Sequence, residues 1–178
     1  YKSPTDMGVN RIKSGIIDEE VVKEASRQEI IRRYLKALLT YKMTNQKKDE
    51  AQRIKTLMEE LNLTVEDRKS LVAARNKKAE LIKMGITNSN VTAIEYEDTI
   101  ITGRDGELMD SAAAAVLNLL KYISNIPDDL HLIDKAILEP IKEVKGIIEK
   151  KESPLLNVEE VLICLATSKM FNPSAKLC

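Results

Sequence analysis

The sequence has no Trp, a single Phe, a single His and two Cys among its 178 residues, and each shortage closes off a class of protein. With so few aromatics, Leu, Ile, Val and Ala must fill the core, and there is little material for the stacking platforms that hold single-stranded nucleic acid. Cys164 and Cys178 are too few for a disulfide scaffold. Cys164 lies in an apolar helical run, where a thiol behaves as a small hydrophobe, and a reducing, cytoplasmic setting is expected. His131 stands between Leu130 and Leu132 with no orienting partner close in sequence, so it reads as a surface or capping residue rather than a general base. No HExxH or CxxC cluster supplies metal-ligand spacing. The phosphate-loop, dinucleotide and nucleophile-elbow patterns are also missing. These residues therefore support no metal and no cofactor. No apolar run approaches the ~20 residues that cross a bilayer, and no secretory leader is visible, so a membrane is not an expected partner.

An excess of charge is lacking too. Lys plus Arg number 28, as do Asp plus Glu. The balance hides an asymmetry: residues 11–84 carry 18 basic against 12 acidic side chains, and residues 85–178 carry 9 against 15. The basic residues alternate with Glu at helical spacing, which marks solvated helix faces rather than a nucleic-acid stripe. Two subregions of opposite local charge, attracting each other, are the simpler reading.

What the sequence does contain is helical periodicity. Asp18 caps a first helix, with Glu19 and Glu20 at its positive end. Ile31, Tyr34, Leu35, Leu38 and Tyr41 then recur at three- and four-residue steps, the signature of one apolar stripe. A second helix carries Ala51, Ile54, Leu57, Met58 and Leu61 on one face. A third follows a capping box at Thr64 to Asp67 and stops near Gly85. Beyond residue 85 the character changes. Val91 to Glu97 and Thr99 to Thr102 are β-rich and flank a tight turn, predicting a hairpin. A fourth helix runs from Ser111 to Lys121. A fifth starts after Asp134, with a kink or restart expected at Pro140, and a sixth follows Asn157 and ends before Asn172-Pro173. The fold class is predominantly helical α+β, a three-helix N-terminal subregion followed by a β-hairpin and about three further helices. The expected organisation is a polar lead-in loop over 1–15, a helical subregion over 16–85, and a hairpin-plus-helices subregion over 86–178, incomplete at its C-terminus.

Two segments offer chemistry. In the lead-in, Ser3, Thr5, Asp6 and Asn10 bring hydroxyl, carboxylate and amide groups together, and Gly8 permits close backbone approach. Such a loop either holds an anion or a sugar hydroxyl, or merely satisfies its own backbone. In Gly103-Arg104-Asp105-Gly106, Arg104 ahead of a helix either grips phosphate as a bidentate fork or is a solvated arginine on a hairpin exit.

The opening Tyr1-Lys2-Ser3-Pro4-Thr5-Asp6-Met7-Gly8-Val9-Asn10 resembles the bacterial proteins of domain of unknown function 1846, also called uncharacterised protein family 0371. The likeness runs on through Glu24-Ala25-Ser26, Gln28-Glu29-Ile30-Ile31-Arg32-Arg33-Tyr34, Thr102-Gly103 and the Ala-rich helix with Leu117-Asn118 and Leu120-Lys121. It continues in Glu139-Pro140-Ile141, Glu160-Val161-Leu162-Ile163 and Asn172-Pro173. The chain departs from the family pattern at Glu97-Asp98, where Asp-Gly is usual, and at Asp134-Lys135, where Ser-Pro is. The resemblance implies a fragment of a much longer polypeptide, with a phosphate-loop-like domain upstream and further strands downstream. These flanking regions would be its first partners. It leaves the function unknown: a lobe of an enzyme handling a nucleotide or phosphate ligand, or a non-catalytic interaction module that forms homo-oligomers.

Overall fold

The computed structural model describes residues 18–178, which divide into two compact units between Arg68 and Lys69. The fold is predominantly helical α+β. The compositional shift at residue 85 falls inside the second unit, because the third helix packs on the hairpin that follows it. No described helix is long and apolar enough to cross a membrane.

The first unit holds α1 (Glu19–Thr44) and α2 (Lys48–Glu60), which pack on each other. Asp18 caps α1, accepting from the N–H groups of Glu20 and Val21 at 3.0 and 3.2 Å. This satisfies donors that a helix start leaves open. The predicted stripe buries Ile31 against Met58 and Leu63, with Tyr34, Leu35 and Ile54 around them. The capping box at Thr64 exists: the Thr64 N–H donates to Asp67 Oδ2 at 2.7 Å. It opens only a single 3₁₀ turn, Val65–Asp67, because Arg68 takes an extended backbone (φ −96°, ψ 102°) that ends it. On α1, Arg32 and then Arg33 donate to the Glu29 carboxylate and hold it down to about 2. A depressed carboxyl adds stability above its unfolded pKa and loses it as pH falls toward the folded value. Glu29 is exposed, so solvent screens the effect, and the unit's melting temperature is expected to stay level between pH 7 and pH 5.

The second unit begins with α3 (Lys69–Lys83), which ends as Gly85 adopts φ 84°. β1 (Val91–Tyr96) and β2 (Thr99–Arg104) pair antiparallel, Tyr96 facing Thr99 and Thr92 facing Gly103. The two-residue turn puts Glu97 at φ 51°, a conformation that favours glycine. Relieving a left-handed non-glycine residue gains about 1–2 kcal/mol, against ~0.5–1 kcal/mol of extra chain entropy for glycine. Glu97→Gly is therefore expected to raise the thermal midpoint slightly, by differential scanning calorimetry.

α4 (Ser111–Ile123), α5 (Lys135–Glu149) and α6 (Val158–Ser168) complete the unit's main body. α3 and α4 pack on the hairpin, and α6 packs on α4 and α5. Their shared core includes Ala113, Leu132, Leu138, Leu156, Val161 and Cys164. α5 starts at the Asp134 cap, where Oδ1 accepts from the Ala136 N–H at 2.9 Å. It runs through Pro140 as one element instead of restarting, although Pro140, the sixth residue of the helix, has no N–H to give to the Ala136 carbonyl one turn earlier. A short α7 (Pro173–Leu177) extends the fold past the predicted sixth helix. Its basis was in the sequence, with proline at the first helical position and Asn172 Oδ1 accepting from the Ser174 N–H at 2.9 Å.

Candidate functional site

The Gly103-Arg104-Asp105-Gly106 segment leads from β2 toward α4. Gly103 is buried directly against α4: a Cβ there would lie 2.1 Å from Ala115 N and 2.6 Å from Ser111 O. The small side chains of Ala112 to Ala115 let the helix come this close. Two residues on, the Asp105 carboxylate accepts from three donors. These are Asn90 N–H at 3.0 Å, Asn90 Nδ2 at 2.8 Å and Ser111 N–H at 2.7 Å. Asp110 caps the helix by accepting from the Ala113 N–H at 2.8 Å. The N–H groups of α4 that a phosphate would seek are thus bonded to two carboxylates already. The glycine-flanked motif is a joint between hairpin and helix.

Arg104, the last residue of β2, is exposed and lines a groove of about 710 Å³. Ligand pockets are commonly of this size. One face of α4 forms a wall, with Ala114, Leu117, Asn118 and Lys121 at three- and four-residue steps. His131 and Lys135 contribute from the start of α5 and the loop before it, and Leu132 and Leu138 give it an apolar floor. Three basic side chains, Arg104, Lys121 and Lys135, therefore line it with two acidic ones, Asp105 and Glu107, and both Asp105 oxygens are engaged in the joint.

Lys121 is the unusual member. It is only 9% exposed, and its Nζ donates to the Asp128 carbonyl at 2.8 Å. Among the described residues it forms no ion pair with a carboxylate. Buried cations are normally paired with a counter-charge. Three further lysines of this unit, Lys78, Lys142 and Lys145, are half-buried; Lys142, like Lys121, bonds a backbone carbonyl, that of Glu107, but is less deeply buried than Lys121. Lys145 Nζ lies 2.8 Å from Glu160 Oε2, and Lys78 spans the carbonyls of Thr87 and Ser89.

Of the residues singled out from sequence, Arg104 takes a place in this groove, and His131 stands exposed at its rim. Ser3, Thr5, Asp6 and Asn10 lie outside the described residues. Lys121 was overlooked, although a signal existed: it is the one charged residue in a run of Ala and Leu, on the same helical face as Leu117.

A helical α+β lobe with a cation-lined groove is the class that fold and site define. The chain belongs to the family of domain of unknown function DUF1846: the family's N-terminal model matches residues 1–62 and its C-terminal model residues 66–178. The break between the two matches falls beside the division between the compact units. Similar proteins include a UPF0371 protein of Clostridium botulinum (strain Alaska E43 / Type E3), 48% identical over 181 residues, which cover 99% of this chain and 36% of the relative. A UPF0371 protein of the Langeland strain is 48% identical over 180 residues with the same coverage. One from the Eklund 17B strain is 47% identical over 181 residues. The chain thus spans 36% of the length of these curated relatives.

Proposed function

We propose that the second unit is the ligand-holding lobe of a cytoplasmic enzyme that acts on a phosphate-bearing compound. The observation that carries this reading is Lys121, a lysine buried in the groove wall with no carboxylate counter-charge among the described residues. A buried ammonium costs folding free energy unless something compensates it. A bound anion does so, and the stability given up is of the kind functional sites tolerate. Arg104 adds a planar fork suited to phosphate oxygens. His131 and Lys135 add donors at the rim. Ser3, Thr5, Asp6 and Asn10 are proposed as ligand-binding residues of the first unit, and catalysis draws on regions beyond all of these residues.

The test is calorimetric titration of the intact protein with inorganic phosphate, ATP and phosphorylated metabolites. Hydrogen bonds to charged groups contribute about 1.5–3 kcal/mol, so Lys121→Met and Arg104→Ala should each weaken binding roughly tenfold or more. Neither change should lower the melting temperature, and Lys121→Met should hold or raise it because it removes a buried charge. Unchanged affinity in both variants ends the proposal. Thr5→Ala with Asp6→Ala tests the lead-in contacts in the same assay.

A second reading, an interaction module, is favoured by the exposed apolar side of α5, where Val144, Ile147 and Ile148 are 55%, 79% and 75% exposed. Soluble chains seldom leave such clusters open without a partner. Light scattering on the intact protein checks it, and a strictly monomeric species excludes the homo-oligomer.

A further inference from the structure

We infer that the ligand is a phosphorylated polyol, a sugar phosphate rather than a nucleotide, lying across Lys121 from one depression into its neighbour. The inference rests on the reading of Lys121 as the anion holder and adds the rest of the molecule. A second depression of about 770 Å³ adjoins the cation-lined groove, and the two share Asn118 and Lys121. Lys121 therefore lines both, with its ammonium on the Asp128 carbonyl. On one side lie the cations, Arg104 with His131 and Lys135. On the other lie Tyr122, Asn125 and Asp128.

The chemistry of this second set suits hydroxyl groups. A sugar hydroxyl donates one hydrogen bond and accepts others, so it is read best by mixed donors and acceptors placed side by side. Asp128 offers carboxylate oxygens as acceptors, and Asn125 offers an amide with both functions. Tyr122 Oη shares a hydrogen bond of 3.1 Å with Thr99 Oγ1, which orients the phenol while leaving it further bonding capacity. Asn118 is tethered too: its Nδ2 donates to the Thr102 carbonyl at 2.9 Å, which leaves its Oδ1 as an acceptor. Nucleobases are more often gripped by aromatic stacking. Tyr122 is the only Phe, Tyr or Trp lining either depression; the one further aromatic ring, His131, lines the other one, so no pair of rings clamps a base in either. Phosphate beside Lys121 and Arg104, with a chain of hydroxyls running toward Tyr122 and Asn125, accounts for both halves.

The test is isothermal titration of the intact protein with inorganic phosphate, glucose 6-phosphate, ribose 5-phosphate, glucose and AMP. At least one sugar phosphate should bind about tenfold tighter than inorganic phosphate, AMP or glucose, a difference that one or two added hydrogen bonds supply. Tyr122→Phe and Asn125→Ala, both at exposed positions, should weaken that sugar phosphate about fivefold or more and leave inorganic phosphate within twofold. Lys121→Met should weaken both ligands, with circular dichroism confirming that each variant is folded. If AMP binds as tightly as either sugar phosphate, the polyol assignment is overturned and the anion reading stands. The same holds if the Tyr122 and Asn125 variants match the parent while Lys121→Met still abolishes binding. If no phosphate compound binds, or Lys121→Met changes nothing, both are overturned.

Discussion

Gly103→Ala should lower the stability of the second unit by about 3 kcal/mol or more, at or above the usual upper range for overpacking, read as a shift of the urea midpoint at constant slope. The added methyl carbon would stand 2.1 Å from Ala115 N, 2.6 Å from Ser111 O and 2.7 Å from Ala114 C. All three are backbone atoms of α4, so no side chain can rotate out of the way. Relief requires the helix to move off the hairpin, which would also open the Thr92 Oγ1···Ser111 Oγ bond of 2.8 Å and the Asn118 tether to Thr102. Gly106, three residues along, is a control. A Cβ there meets only Met109 O, at 3.9 Å, so Gly106→Ala should cost far less. Equal effects at the two glycines would show that the hairpin does not depend on this close approach.

Much of the fold was legible because local signals and packing agree. Asp18, Asp110, Asp134 and Asn157 each precede a helix, and each accepts a hydrogen bond from a first-turn N–H group. The stripe through Ile31 and the β-rich runs on either side of Glu97-Asp98 also match the elements formed. Thr64 shows the limit. Its capping box is a local feature and formed, but it opens a 3₁₀ turn, and the extended backbone of Arg68 delays the helix to Lys69. The compact units divide at Arg68 rather than at residue 85 for a related reason. α3 resembles α1 and α2 in composition, and only its packing against β1 and β2 assigns it to the second unit.

The site was less legible. Gly103-Arg104-Asp105-Gly106 leaves two readings open in sequence, a phosphate fork at Arg104 or a solvated hairpin exit, because an arginine between glycines before a helix suits either. The same glycines also suit a tight junction, and only the third dimension separates the two. Lys121 shows the opposite case. In sequence it closes an Ala-rich helix, yet in the structure it is the most deeply buried lysine of the second unit and bonds a backbone carbonyl rather than a carboxylate. Composition cannot reveal that, because it depends on Asp128 meeting the ammonium with its backbone carbonyl rather than its carboxylate.

Asp105→Ala should cost the second unit about 3 kcal/mol, as charged hydrogen bonds and a stranded buried donor are lost together. Its carboxylate joins Asn90, where the hairpin begins, to Ser111, where α4 begins. Ser111 is buried, 7% exposed, so its N–H would be left without its present acceptor in a place water reaches poorly. Asp105→Asn keeps one acceptor oxygen but turns the other arm into a donor facing N–H groups, so it should fall between parent and Ala. The neighbouring residue gives the sharper contrast. Arg104 is exposed and sits in the groove, so Arg104→Ala should change stability by no more than ~0.5 kcal/mol, as surface substitutions do, while weakening phosphate. Asp105→Ala should do the opposite, melting early yet binding phosphate with near-parent affinity wherever it remains folded. Denaturant melts paired with titrations on the two variants would separate joint from site. An arginine variant as unstable as the aspartate one would assign the whole segment to structure alone.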